Sequence, residues 1–208
     1  MKPLQSSTGW PLLNSQERSP KIILASTSPR RRSLLEQIGV QFEIIPSTIE
    51  EDISLKLNPD EFVEHYAELK AKNVSQNRHD SLVIGADTVV VFNGSILGKP
   101  RSFDEAYTTL SILSDNTHSV YTGVSIQQKN KSISHTFHAQ TQVTFNRVTN
   151  EEINFYIENY KPYDKAGSYG IQDWFSVCVE KIDGCYFNVM GLPLNRLYTE
   201  LKNVIQTD

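Results

Sequence analysis

The segment S-T-S-P-R-R-R, residues 26–32, follows a short apolar run and opens an amphipathic segment. Pro29 suits the first position of a helix, because its missing N–H has no partner to lose there and its φ angle is already helical. Ser28 precedes it and can cap the first turn through its hydroxyl oxygen. Gly39 stands where a left-handed residue commonly ends a helix. The segment therefore predicts a strand, a tight turn and a helix in direct succession.

The same geometry predicts a binding site for a polyanion. A strand that leads into a helix N-terminus directs free N–H groups and the positive end of the helix dipole at one spot. Ser26, Ser28, Arg30 and Arg31 add hydroxyl and guanidinium donors, and the planar guanidinium fork matches phosphate oxygens. The arginines could instead form a solvated face, but cations are unfavourable at a helix N-terminus. We therefore favour phosphate binding, with Arg32 directed to solvent.

The overall composition is typical of one compact domain. The chain has 208 residues, of which 38% are hydrophobic, enough for a sizeable core. Its formal net charge is −4, which does not favour a surface built to coat nucleic acid. No apolar run approaches the length of a membrane span, and residues 1–20 lack the apolar core of a signal peptide. We therefore expect a cytoplasmic protein with no nucleic-acid partner and no membrane attachment.

Strand and helix patterns alternate along the rest of the chain. Residues 81–92 read as a long strand followed by a hairpin at Asn93-Gly94, and residues 118–147 read as two long paired strands. A last hairpin is predicted over residues 175–189. Because helices and hairpins interleave, we predict an α/β fold with a mixed sheet flanked by helices.

Two smaller predictions complete this outline. Residues 1–20 form a flexible leader, and residues 21–208 form the single folded domain. Cys178 and Cys185 flank the turn of the last predicted hairpin, where they could face each other, but two reduced thiols are the expected state.

Asp87 interrupts the long apolar strand, within the sequence G-A-D-T. An unpaired carboxylate in a core is very costly, so Asp87 either ends at a cleft or pairs with an arginine as a structural bridge. We favour the cleft, because Gly85 allows a ligand or a metal to approach. Asp87 would then act as a metal ligand or as a general base for water. Glu50 and Glu51 form a second acidic pair, which could add oxygen ligands for Mg²⁺ or Mn²⁺ or could simply be solvated.

Two loops carry further candidates. Lys99 lies between Gly98 and Pro100, which would present the lysine from a stiff loop, although an ordinary surface lysine is an equal alternative. Residues 164–172, D-K-A-G-S-Y-G-I-Q, contain two glycines, a phenol and an amide. An amide both donates and accepts, which suits the edge of a uracil or thymine ring. The alternative is a glycine-rich connection without a function.

The chain also resembles the Maf family of nucleoside triphosphate pyrophosphatases. The matches follow the family's order and cover about residues 21 to 201, so that the set is far more specific than any single motif. They are S-x-S-P-R-R (26–31), I-E-E (49–51), G-A-D-T (85–88), G-K-P (98–100), T-G-V (122–124), D-K-A-G-x-Y-G-I-Q (164–172) and N-V-x-G-L-P (188–193).

The resemblance implies hydrolysis of the α–β phosphoanhydride of a nucleoside triphosphate, with a divalent cation as cofactor. It implies an elongated fold like that of inosine triphosphate pyrophosphatases, with two lobes around a cleft, and it favours a homodimer. Asp87 matches the catalytic aspartate. The residues that match the phosphate-binding and other charged positions are Ser26, Ser28, Arg30, Arg31, Glu51, Lys70 and Lys99, with Glu51 and Asp87 as the metal ligands.

Within the family, three positions separate the branch that acts on dTTP and UTP from the branch that acts on 7-methyl-GTP. Here they are Arg30, Thr88 and Gln172, which is the dTTP/UTP pattern. Asp173-Trp174 departs from the glycine that many members have after this glutamine, and Trp174 could reshape the pocket by stacking on a base or narrowing it.

Three alternatives stay open at this point. The same reaction could act on 7-methyl-GTP or another modified nucleotide. The chain could be a nucleotide-binding regulator of cell division without turnover, although such a binder would need no base at Asp87. A nucleic-acid binder using Arg30–Arg32 is disfavoured by the acidic net charge.

Overall fold

The computed structural model describes residues 20–206 and shows a seven-stranded mixed sheet with helices on both faces. The predicted leader lies, except for Pro20, outside the described residues. The strands are β1 (Ile22–Leu24), β2 (Phe42–Ile44), β3 (Leu82–Phe92), β4 (Ser95–Leu97), β5 (Thr117–Gln128), β6 (Ile133–Phe145) and β7 (Val179–Asp183). The helices are α1 (Pro29–Gln37), α2 (Pro59–Ser75), α3 (Phe103–Leu113), α4 (Asn150–Tyr160), α5 (Tyr186–Val189) and α6 (Leu194–Gln206).

The sheet has the order β2-β1-β3-β5-β6-β7, and β4 pairs with part of β3. The strand β1 runs parallel to β2 and β3, whereas all other pairs among the described strands are antiparallel. The prediction of an α/β fold with a mixed sheet is therefore confirmed. Among the described helices, none is both long and apolar enough to cross a membrane.

Most predicted boundaries are confirmed by local geometry. The Ser28 hydroxyl accepts a hydrogen bond from the Arg31 N–H and caps α1. Gly39 has a φ angle of 73°, the left-handed conformation expected after the helix. Asn93 and Gly94 have φ angles of 48° and 77°, which is the pattern of a tight hairpin turn between β3 and β4.

The last predicted hairpin, over residues 175–189, is wrong. Only β7 forms there, and it pairs with β6, while the segment after it folds into the short helix α5. The buried Asn188 amide explains the difference, since it donates to the Val120 carbonyl at 3.1 Å and to the Thr141 hydroxyl at 3.0 Å. These bonds fix the segment as a helical turn against β5 and β6. Cys178 and Cys185 are both free thiols, as predicted.

The two faces of the sheet bury different helices. Alternate residues of β1 and β3, among them Leu24 and Ile84, pack with α1 and α6 on one face. The intervening residues Ile23 and Val83 pack with Ala71 and Val74 of α2 on the other face. A further core surrounds Phe145, beyond the middle of the sheet, and includes residues of α3, α4 and loop 164–172.

The helix α2 lies unusually close to the sheet. A Cβ atom at Gly85 would overlap the Ala67 carbonyl, and a Cβ atom at Gly123 would overlap the Val63 carbonyl. Glycine at both positions therefore lets the α2 backbone rest almost directly on β3 and β5. This close approach sets the distance between the side chains of α2 and those of β3.

Replacing Gly123 by alanine should lower the free energy of unfolding by about 2 kcal/mol, because the added methyl group meets helix backbone that cannot move away alone. Urea denaturation measures the loss. Gly98→Ala is the matched control, since a Cβ there meets only the Ile53 side chain at 3.9 Å; a change within about 0.5 kcal/mol is expected. Equal losses in the two variants would contradict the close approach.

Candidate active site

A cleft opens where the sheet lacks a neighbouring strand. On one edge of β3, the pairing with β1 ends at Ile84, and the pairing with β4 begins only at Val90. Between them, the described strands leave the segment Gly85–Val89 without a partner on that edge. Asp87 and Thr88 lie in this gap and line a cleft of about 470 Å³. A volume of this size is typical of small-molecule sites.

The N-terminus of α1 forms one wall of the cleft. It is positioned by β1, since the Ala25 N–H still donates to the Ile84 carbonyl at 2.8 Å before the chain turns into the helix. Ser26 accepts a hydrogen bond from the Ser28 N–H at 3.2 Å, which shapes the turn. The turn therefore presents hydroxyl groups and the positive end of the helix dipole to the cleft, as the sequence predicted.

Arg31 ties this wall to the neighbouring parts of the cleft. Its guanidinium donates to the Gly191 carbonyl at 2.8 Å, to the Thr88 hydroxyl at 2.9 Å and to the Ser26 hydroxyl at 3.3 Å. Thr88 in turn lies 3.0 Å from the Thr122 hydroxyl. Three of the five guanidinium N–H groups are thus used within the protein, which leaves two for a ligand.

Arg30 has a different setting at the rim. Its guanidinium pairs with the Asp164 carboxylate at 2.7 Å and donates to the Asp164 carbonyl at 3.3 Å. Asp164 also accepts from Lys165 at 2.8 Å. Burial opposes ionisation of Asp164, but the hydrogen bonds from Lys165 and Arg30 outweigh it and lower its pKa. The ion pair joins the α1 wall to loop 164–172. Arg32, as predicted, lies outside it and pairs with Glu36.

The opposite wall carries a charge cluster in which Lys70 and Asp87 are buried. Lys70 of α2 places its Nζ atom 2.5 Å from Glu51 Oε1 and 2.6 Å from Asp87 Oδ1. The Asp87 side chain is only 3% exposed, and its Oδ2 atom has no hydrogen-bond partner among the described residues. Lys99 approaches the other oxygen of Glu51 at 3.9 Å. Glu50 is exposed and is not part of the cleft lining.

The two carboxyl groups of this cluster have opposite pKa shifts. Burial raises the pKa of Asp87 above its ordinary value of 3.8, and the charge of Glu51 adds to the effect, while Lys70 opposes it. Burial also disfavours the Glu51 carboxylate, but the Lys70 ammonium outweighs it and lowers the pKa of Glu51 to about 2. Glu51 is therefore the permanent anion and Asp87 is the group that binds a proton more readily.

The third side of the cleft is loop 164–172. The Gly167 N–H donates to the Gly98 carbonyl at 3.2 Å, which ties this loop to the turn that carries Lys99. Tyr169 is buried, and its hydroxyl lies 2.8 Å from His118 Nε2. Burial lowers the pKa of His118 to about 4, so the imidazole is neutral near pH 7. Gln172 stands exposed at the mouth of the cleft.

The structure brings every predicted site residue to this one cleft. These residues are Ser26, Ser28, Arg30, Arg31, Glu51, Lys70, Asp87, Thr88, Lys99 and Gln172. Their roles in binding and catalysis stay predictions. Trp174 is not among the lining residues; its ring packs on Phe155 and Tyr156, so it neither stacks in the cleft nor narrows it directly.

Sequence reasoning misses the contacts of three residues near the site. From the sequence, Asp164 and Lys165 are recognised only as parts of a motif. The ion pair between Arg30 and Asp164 spans 134 positions, so no local sequence pattern indicates it. Tyr156 fits the apolar stripe of α4, yet its hydroxyl accepts the Gly170 N–H at 2.9 Å. The glycines of the loop are the available clue, since they indicate a backbone that must be held by other groups.

Comparisons with known proteins assign the family. The family described as Maf-like protein matches residues 21–204. A dTTP/UTP pyrophosphatase from Bacillus cereus is 51% identical over 182 residues, which are 88% of this chain and 94% of that protein. A dTTP/UTP pyrophosphatase from Bacillus anthracis is 50% identical over the same shares of the two chains. The chain therefore belongs to the Maf family, and the resemblance seen in its motifs is confirmed.

A solved structure also aligns with the fold. A HAM1 protein from Coxiella burnetii shares 14% identity, covers 91% of this chain and 100% of its own, and gives a TM-score of 0.49.

Replacing Lys70 by methionine should lower the free energy of unfolding near pH 7 by about 3 kcal/mol, because it leaves Asp87 buried without its partner. In the variant the folded state holds the Asp87 proton more tightly than the unfolded chain does, so stability falls as pH rises and the loss is smaller near pH 4. Urea denaturation at the two pH values measures both effects.

Two further variants test the cause of that loss. Adding Asp87→Asn to Lys70→Met should recover most of the stability, since the uncompensated charge is gone. Lys72→Met is the matched control on the same helix, because Lys72 is half exposed and pairs with the surface residue Glu68; a loss below about 0.5 kcal/mol is expected. A similar loss for Lys70 and Lys72 would show that the cluster does not stabilise the fold.

Proposed function

We propose that this chain is a nucleoside triphosphate pyrophosphatase that hydrolyses dTTP and UTP to the monophosphate and pyrophosphate. The observation that carries the proposal is the pairing of two features in one cleft. A helix N-terminus with Arg30 and Arg31 faces Asp87, a buried carboxylate with one oxygen free of partners among the described residues. Relatives that are half identical in sequence and named dTTP/UTP pyrophosphatases support it.

The chemical step needs a base and a set of cations. Asp87 Oδ2 accepts a proton from water, whose oxygen attacks the α-phosphorus, and the bond from that phosphorus to the α–β bridging oxygen breaks. Pyrophosphate leaves with the bonding electrons. The raised pKa of Asp87 makes its carboxylate a better proton acceptor than an ordinary aspartate. Lys70 holds Oδ1 at 2.6 Å and thereby fixes the direction of Oδ2.

The phosphate chain is held by the groups opposite this base. The first turn of α1 offers N–H groups, and Ser26, Ser28, Arg30 and Arg31 surround it. Lys70 and Lys99 supply positive charge from the other side of the cleft. Phosphoryl chemistry needs positioning and neutralisation of charge more than covalent help, and these groups supply both.

A divalent cation, Mg²⁺ or Mn²⁺, is the cofactor of this proposal. The described residues contain no cluster of three or more acidic, histidine or cysteine ligands. Two carboxylates that share one ammonium nevertheless fit a cation that arrives with substrate phosphates. Glu51 and Asp87 would hold it, and Asp87 Oδ2 would remain the proton acceptor. When bound, it would neutralise phosphate charge in the cleft.

The choice of the nucleobase of the substrate rests on Arg30, Thr88 and Gln172. Gln172 presents an exposed amide at the mouth of the cleft, and an amide can pair with the donor and acceptor edge of uracil or thymine. Thr88 acts indirectly, because its hydroxyl is occupied by Arg31 and Thr122.

The proposed location is the cytoplasm, because the two free thiols suit a reducing compartment. The proposed assembly is a homodimer.

Release of pyrophosphate from dTTP, UTP, CTP, dATP, GTP and 7-methyl-GTP, with Mg²⁺ or Mn²⁺, tests the proposal. Release should be fastest from dTTP and UTP, and Asp87→Asn should lower kcat by about 10²- to 10⁴-fold. Asp104→Asn, an exposed aspartate on α3, is the matched control and should leave kcat unchanged.

Other outcomes have distinct meanings. Turnover confined to 7-methyl-GTP or another base would keep the reaction and reject the assignment of the base. Nucleotide binding without any turnover would reject the enzyme and favour a regulator.

The dependence of kcat/KM on pH tests the role of Asp87 as the base. Activity should fall as pH decreases through a pKa above 3.8, because protonated Asp87 cannot accept a proton. In Glu51→Gln this acidic limb should move to lower pH, since a negative neighbour is removed. In Lys70→Met it should move to higher pH. Both shifts are measured from the residual activity of the two variants at saturating metal. Movement of the acidic limb in the same direction in both variants would contradict the assignment of Asp87 as the base.

A further inference from the structure

Gln172 lies within a turn that is closed by the residues on either side of it. The Asp173 N–H donates to the Gly170 carbonyl at 3.3 Å, which brings the two ends of the segment 170–173 together. Asp173 Oδ1 accepts the Phe175 N–H at 3.1 Å and caps the short 3-10 helix that follows. The backbone that carries the Gln172 amide is therefore held at its C-terminal end by Asp173.

A second group joins both ends of this turn. The Tyr156 hydroxyl accepts the Gly170 N–H at 2.9 Å and donates to Asp173 Oδ2 at 3.1 Å. The phenol oxygen thus links the residue two before Gln172 to the residue directly after it. A Cβ atom at Gly170 would overlap the Asp173 carboxylate, so the link also requires glycine at that position.

The phenol that makes this link is buried among other aromatic rings. Tyr156 is 0% exposed, and its ring lies 4.7 Å from the Phe175 ring and 5.2 Å from the Tyr160 ring, centroid to centroid. Trp174 stacks on Tyr156 at 6.2 Å and is not part of the cleft lining. Burial and the nearby Asp173 carboxylate raise the pKa of Tyr156, so the hydroxyl keeps its proton and stays a donor to Asp173.

We propose that Tyr156 and Asp173 are positioning residues that set the base selectivity of the cleft by fixing the backbone of Gln172. The proposal rests on the proposed function. Uracil and cytosine present opposite donor and acceptor groups at the same edge, so discrimination depends on where the Gln172 amide is placed against that edge. Without the link, the turn can shift and carry the Gln172 side chain away from the position in which its amide pairs with uracil.

Three single variants test this link. Tyr156→Phe removes only the hydroxyl, and Asp173→Asn removes the charge at nearly constant size. Both should lower the ratio of kcat/KM for UTP to kcat/KM for CTP by about tenfold, with the change mostly in KM for UTP. Tyr160→Phe is the matched control, because it removes a hydroxyl from a neighbouring stacked ring outside the link, and should leave the ratio unchanged.

The double variant tests whether the two residues act as one unit. Tyr156→Phe with Asp173→Asn should lower the ratio no further than the larger single loss, since one link can be broken only once. Thermal melting of each variant separates a loss of selectivity from a loss of fold. A ratio that stays at the wild-type value in both folded single variants would overturn the proposal and leave the link a purely structural contact.

Failure of the proposed function would be recognised separately. If the wild-type chain hydrolyses neither UTP nor CTP, the same ratio is taken from equilibrium binding of the two nucleotides, which needs no turnover. A wild-type preference for UTP that both variants lose would still support the link. Wild-type binding without any preference between UTP and CTP would overturn it.

Discussion

The ammonium group of Lys70 forms the two ion pairs on which the site depends. It lies between Glu51 and Asp87, where the buried Asp87 carboxylate could not be tolerated alone, because burial of an unpaired charge is costly. Lys70 lies on α2, which rests almost directly on the sheet, and this position places the ammonium beside Asp87 of β3. Gly85 and Gly123 make that approach possible. The two glycines, the helix position and the charge cluster are thus linked.

The gap along β3 is the second requirement of the site. Because β1 ends at Leu24, opposite Ile84, and β4 ends at Leu97, opposite Val90, the described strands leave the middle of β3 unpaired on one edge. A sheet edge normally needs protection, and here the turn at Ser26 and the start of α1 face it. The interruption that weakens the sheet therefore creates the space in which a charged ligand can meet a carboxylate of the strand.

The three sides of the cleft have different characters. The α1 wall and the opposite wall with Lys70 of α2 carry most of the charges, while the third side, loop 164–172, is fixed mainly by buried hydroxyl and ring contacts, such as those of Tyr169 and His118. Arg30 and Asp164 join the α1 wall to this loop by an ion pair at the rim. This division suits a ligand with a charged chain at one end and a neutral ring at the other.

The sequence by itself determined the strand, turn and helix around Ser28 and the hairpin at Asn93-Gly94, because caps and turns are local, and its motifs named the residues that line the cleft. Only the tertiary structure decided which charges meet. Lys70 and Asp87 are 17 positions apart, and Arg30 and Asp164 are 134 apart. The failed hairpin after β7 has the same reason, since the buried amide of Asn188 takes its partners from β5 and β6. Such long-range hydrogen bonds override local pattern and cannot be read from it.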